Sequence, residues 1–120
     1  MTNLAYARRR RQQRSQVRRA ILDATEALLV EQGAEGFSIR KLVERCGYTA
    51  PTIYNHFGDK PGLIDALLEE RFARLARALR RVPVTGDPLA YLRETARVFV
   101  GFGRRHPSHY RLLTQMRDPD

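Results

Sequence analysis

Between Ser38 and Phe57 the chain places Ile39, Leu42, Val43 and Cys46 at i, i+3, i+4 and i+7, then Gly47, then Ile53 and Phe57 four residues apart. Apolar residues at that spacing line one face of a helix and fit no strand. Ser38 is a good N-cap for the first of these helices, Gly47 ends it, and Thr49 caps the second. Pro51 is tolerated in the first turn, where the missing N–H has no partner inside the helix anyway. Two short helices across a glycine turn, preceded by a longer helix, have the helix-turn-helix arrangement, whose second short helix lies in the major groove of DNA. So general a pattern is shared by many helical hairpins.

The same helical spacing recurs along the rest of the 120 residues, and no segment alternates as a strand does. The expected fold class is therefore all-α: a three-helix, homeodomain-like helix-turn-helix bundle, a long connecting helix, and then the first helices of a second domain. Helix one is expected over about Ser15 to Gln32, with Val17, Ile21, Ala24 and Leu28 on one face and Gly33 closing it. Gly58 and Asp59 break and re-cap the chain before a helix from about Lys60 to Arg81, expected to be the longest. Its stripe is Leu63, Ile64, Leu67, Leu68, Phe72, Leu75 and Leu79. After the linker VPVTGD, Asp87 and Pro88 open a fifth helix to about Arg105, using Leu89, Leu92, Ala96, Phe99 and Val100. A short sixth, carrying Tyr110, Leu113 and Met116, follows Pro107. The expected division is a basic arm over 1–14, a DNA-binding domain over 15–60, and over 61–120 the connecting helix with the opening portion of a helical regulatory domain.

About 42% of the residues are apolar, as in a globular protein, and no window approaches the roughly 18 consecutive apolar residues of a membrane span. Nothing near the N-terminus has a signal peptide's apolar stretch, so a cytoplasmic location is expected and no membrane partner. The single Cys46 excludes an internal disulfide or a cysteine-based zinc cluster, and reads as a small buried apolar residue. No metal and no cofactor is expected.

The net charge of +9 favours a polyanionic partner. Arg8, Arg9, Arg10, Arg11, Arg14, Arg18 and Arg19 all precede the first acidic residue, Asp23, so most of the excess lies in the arm. Such a run is either a solvated tail or an arm that reaches a minor groove or follows the DNA backbone, with Arg14 at its domain end. If Ile53 and Phe57 anchor the third helix, its other faces carry Ala50, Pro51, Thr52, Tyr54, Asn55 and His56. These are short or planar groups suited to base edges and phosphate oxygens. The plainer alternative makes Thr49 only a cap, packs Tyr54 partly on the core and leaves His56 as a surface histidine. Lys60 opposes the macrodipole at a helix N-terminus, which a bound phosphate would offset; Asp59 as N-cap is the alternative.

FSIRKLVERCGYTAPTIYNHFGDKPGLIDALLEE resembles the DNA-binding segment of the TetR/AcrR family of bacterial transcriptional regulators. Gly47, Thr49, Ile53, Tyr54, His56, Phe57, Lys60 and Leu63 match its turn-helix signature. The resemblance implies that Thr49, Pro51, Thr52 and Asn55 lie toward base edges and that Tyr54, His56 and Lys60 hold phosphates. It places Ser38 and Arg40 at the backbone or an adjacent base. DPLAYLRETARVFVGFGRRHPSHYRLL is similar to the start of the regulatory domain in the WHG-type subgroup. The function implied is a repressor that binds a palindromic duplex operator and answers to a small-molecule effector. Phe99, Phe102, Tyr110 and Met116 would line the beginning of that pocket. Family members act as homodimers through a late helix pair, which is expected to lie beyond these residues.

Two other readings compete. A hydrolytic enzyme with His56 or His109 as general base needs a nucleophile or carboxylate in reach, and only Asp59 has suitable spacing. A helical interaction module would use the apolar faces of the fifth and sixth helices.

Overall fold

A long run of good helix formers begins the chain. Residues 3–32 contain no glycine or proline, and Ala, Arg, Gln and Leu dominate them. The computed structural model, which describes residues 2–107 and 111–112, accordingly shows α1 running over Thr2–Gly36. Helix one thus starts well before Ser15, and the arginine arm is part of it. With 35 residues against 21, α1 and not the connecting helix is the longest. Its regular backbone is interrupted at Gly33, with φ 73° and ψ 173°, a region essentially restricted to glycine.

α2 spans Ile39–Cys46. Ser38 caps it through a hydrogen bond that its Oγ accepts from the Lys41 N–H (3.2 Å), and Gly47 ends it in the left-handed region (φ 80°). α3 spans Ala50–Phe57 and α4 spans Lys60–Arg80. Between them Gly58 turns at φ 85°, and Asp59 acts as the cap of α4: its Oδ1 accepts from the Gly62 N–H (2.7 Å) and its carbonyl from the Leu63 N–H (3.0 Å). α5 spans Pro88–Arg105, with Asp87 as N-cap accepting from the Leu89 N–H (3.1 Å). Among the described residues there is no strand, and no helix is long and apolar enough to cross a membrane.

The chain divides into two compact units, Met1–Ile64 and Asp65–Asp120. In the first, α1 packs on α2 and α2 on α3. Its core is Ile21, Leu22, Leu28 and Leu29 from α1, Phe37 from the following loop, Leu42 from α2, Ile53 from α3 and Leu63 from the start of α4. Thr25 is buried with them and donates its hydroxyl to the Ile21 carbonyl (2.7 Å), so its polar group is satisfied within the helix. Cys46 is half-buried and not a core residue.

In the second unit the stripe of α4 differs from the expected one. Leu67, Arg71 and Leu75 are buried at four-residue spacing, whereas Phe72 is 54% exposed. Arg71 is tolerated there because it pairs with the Glu70 carboxylate, which also binds the Arg74 Nε (2.8 Å). On α5 the expected apolar face is uncovered: Leu89, Leu92, Phe99 and Val100 are all exposed, and Phe102 is the buried residue. Arg111 and Leu112 are helical and Leu112 is buried; Tyr110, Leu113 and Met116 lie outside the described residues.

Two glycines near the turns are expected to respond differently to alanine. At Gly47 a Cβ would meet open space, so only the left-handed backbone opposes it, at about 1–2 kcal/mol. At Gly62 the backbone is helical, but a Cβ would run into the Phe57 carbonyl oxygen where α4 abuts the end of α3. Urea denaturation is expected to show a larger loss for Gly62→Ala than for Gly47→Ala, despite alanine's better helix propensity.

Candidate nucleic-acid interface

α3 has eight residues and one buried side chain, Ile53, at 1% exposure. The first turn of a helix leaves its backbone N–H groups without partners inside the helix, and here Pro51 removes one of these groups. Thr49 supplies a partner for another through its Oγ1, which accepts from the Thr52 N–H (3.3 Å), while the Thr49 and Thr52 hydroxyls share a hydrogen bond (3.0 Å). Thr49 is therefore a cap, as the plainer reading has it, and the pair keeps one hydroxyl proton and open lone pairs toward solvent. Pro51 sits in the first turn. With Ile53 turned inward, Pro51, Tyr54 (42% exposed) and Asn55 are exposed and Thr52 is half-buried. No acidic residue stands on this helix.

His56 and Phe57, at the end of α3, face the N-terminal half of α1. The Arg18 guanidinium lies 4.7 Å from the centre of the Phe57 ring, a cation–π contact. Phe57 is half-buried beneath it. His56 is also half-buried, and its Nδ1 is buried with no hydrogen-bond partner. Burial pushes the imidazole pKa below its ordinary value, and the positive charges of Arg14 and Arg18 push it the same way. Both effects favour the neutral ring at neutral pH. The charges that act on it are those of the two arginines, not that of a carboxylate of the kind that orients a catalytic histidine.

The remaining residues expected at a site are distributed around α2 and the start of α4. Ser38 is half-buried and engaged as the cap of α2, and Arg40 is exposed and paired with Glu44 (3.5 Å). Lys60 is exposed, and the offset to its unfavourable place on the helix dipole comes from the protein itself. Its Nζ lies 3.5 Å from the Phe37 carbonyl oxygen and 5.4 Å from the centre of the Phe37 ring. Lys41 does the same for the end of α1, donating to the Gly36 carbonyl (2.8 Å) and to the Gln32 side chain (2.8 Å). Both ammonium groups retain N–H donors. Arg14 is exposed on α1.

Of the residues expected to begin an effector pocket, Phe102 is buried with its ring 4.6 Å from that of His106, and Phe99 is 47% exposed. Tyr110, Met116 and His109 lie outside the described residues. Sequence reasoning missed Arg18, which its place three residues before Ile21 on the core stripe signals, and Gly62, whose constraint is a close approach that only packing creates.

Residues 21–67 match the family described as bacterial regulatory proteins, tetR family. They are a TetR-family domain. Members of this family regulate transcription and bind DNA through a helix-turn-helix, which here is α2, the Gly47 turn and α3. The chain is similar to the tetracycline repressor protein class D of Escherichia coli, 42% identical over 57 residues, which are 48% of this chain and 26% of that protein. It is 39% identical over 62 residues to the transcriptional repressor AcnR of Corynebacterium glutamicum, covering 52% of this chain and 33% of the relative. With the transcriptional regulator AcrR of Shigella flexneri the identity is 31% over 90 residues, 73% of this chain and 42% of the relative. The matched part thus spans about a quarter to two-fifths of these TetR-family relatives. No solved structure matches the chain significantly.

The environment of His56 sets a pH dependence for stability. Its pKa is lowered in the folded state, so as pH falls below the ordinary value near 6.5 the unfolded chain takes up a proton that the folded chain resists. Stability is expected to be full above about pH 6.5 and to decline below it, down to the folded pKa. Urea midpoints at pH 7.5 and 5.5 should differ less in His56→Gln than in the unaltered chain.

Proposed function

We propose that this chain is a sequence-specific DNA-binding regulator of transcription, an effector-responsive repressor, that contacts its operator through α3. The observation that carries the reading is the outward face of α3: Pro51, Thr52, Tyr54 and Asn55 stand around a single buried anchor, Ile53. Planar amides, hydroxyls and a phenol can read base edges and donate to phosphate oxygens, and a helix of this length fits a major groove. Thr49, Pro51, Thr52 and Asn55 are assigned to the base edges. Tyr54, His56 and Lys60 are assigned to phosphates, with His56 donating as a neutral ring from Nε2. Ser38 and Arg40 flank the same groove at the start of α2, and Arg14 adds charge from α1. The repressor reading rests on the names of the relatives.

Regulators of this kind act as two-fold dimers, and the operator proposed is accordingly palindromic, with half-sites about one helical turn or a multiple apart. The effector would enter the second unit near Phe99 and Phe102. A cytoplasmic location goes with DNA as partner.

Affinity selection from a random duplex library tests the reading, and a chain that enriches no sequence would refute it. On the selected duplex, Tyr54→Phe combined with Lys60→Ala is expected to weaken binding to all sequences. The same pair should flatten the dependence on salt by about 0.9 for each phosphate that is no longer neutralised. Asn55→Ala is expected instead to relax preference at one base pair, by about 1–3 kcal/mol of discrimination.

A further inference from the structure

The register of α1 carries one basic stripe out of the domain on the same face that forms its core. Ile21, Thr25 and Leu29 are buried at four-residue spacing. Three, seven and ten residues before Ile21 along that face stand Arg18, Arg14 and Arg11. Arg18 is seated on Phe57 of α3, and Arg14 and Arg18 are close enough to act on His56. Asn3 to Gln16 are exposed throughout, although helical. The core-facing stripe therefore continues past the domain as arginine, on the side where α3 ends. No acidic residue before Asp23 is present to neutralise it, and like charges three and four residues apart repel one another.

We propose, resting on the α3 reading above, that the N-terminal part of α1 is a preformed second DNA-binding element. It is a rigid basic overhang that lies along the phosphates flanking the groove entered by α3, with Arg11 and Arg14 as its backbone contacts. This differs from an arm threaded into the minor groove. A helix with its side chains is about 10–12 Å across, whereas the minor groove of B-DNA is about 6 Å wide, so α1 as folded cannot enter it. It can follow the backbone. Arg11 to Arg18 extend over about 10 Å of helix axis, a length of duplex that carries about six phosphates. Arg18 is held against Phe57 and couples the direction of the overhang to α3.

The experiment separates charge from rigidity, using the full chain and a duplex selected by it. Arg11→Gln with Arg14→Gln removes two phosphate contacts and is expected to lower the salt slope by about two and the affinity at about 0.1 M salt by tenfold or more. Gln12→Pro keeps every arginine but breaks the helix between them. It is expected to weaken binding several-fold while leaving the urea midpoint of the domain unchanged, and Gln12→Gly with Gln13→Gly is the milder break, expected to give the same direction. Binding by the proline and glycine variants equal to that of the unaltered chain would overturn the proposal, because a flexible tail would then suffice. An unchanged salt slope in the arginine variant would overturn it too. In both cases the selected duplex still bound by the unaltered chain leaves the α3 reading standing; a chain that selects no duplex removes both.

Discussion

The burial of Ile53 is the contact on which the proposed interface depends. An eight-residue helix is far too short to persist alone in water, since nucleating a turn costs more than so few hydrogen bonds return. α3 exists because one side chain is fully enclosed in a core to which α1, α2 and the first turn of α4 all contribute. Its two caps, Thr49 and Gly58, then stop it within two turns. Every polar group on its outer face is held in place by that arrangement and by little else. The glycine turn before it and the close approach of Gly62 to the Phe57 carbonyl after it fix the direction in which the face points.

The cations of the first unit divide into two populations. Lys41, Lys60, Arg45 and Arg18 are tied to the protein: to the carbonyls of Gly36 and Phe37, to Glu31 (2.6 Å) and to the Phe57 ring. Arg14 and the arginines before it have no acidic residue within reach along the sequence. A net charge of +9 does not distinguish the two groups, yet the second is the larger store of charge that the protein itself leaves to an external polyanion. His56 stands at their junction. Its own burial and the arginines favour its neutral form, which changes its proposed part from a cationic phosphate clamp to a neutral donor.

Helix existence, type and capping were legible in the sequence because each is decided within a few residues. Ser38, Thr49, Asp59 and Asp87 cap as their positions imply, and Gly33, Gly47 and Gly58 take the positive φ that their places demand. The start of α1 departs from the expected one for an instructive reason. Arginine-rich sequence reads as a tail through its charge, but arginine, alanine and glutamine are also good helix formers, and an existing helix is extended more easily than a new one is begun.

Local hydrogen bonding and 3.6-residue periodicity are written in neighbouring residues, so the five described helices, the helix-turn-helix spacing and the excess of positive charge follow from the order of residues. Tertiary structure alone decided which faces are covered. It buried Arg71 where the expected stripe has Phe72, and it left Leu89, Leu92, Phe99 and Val100 exposed on α5. It also brought Arg14 and Arg18 to His56 across some forty residues of chain. Long-range proximity of that kind has no signature in sequence spacing, because it comes from how helices pack and not from how each one is wound.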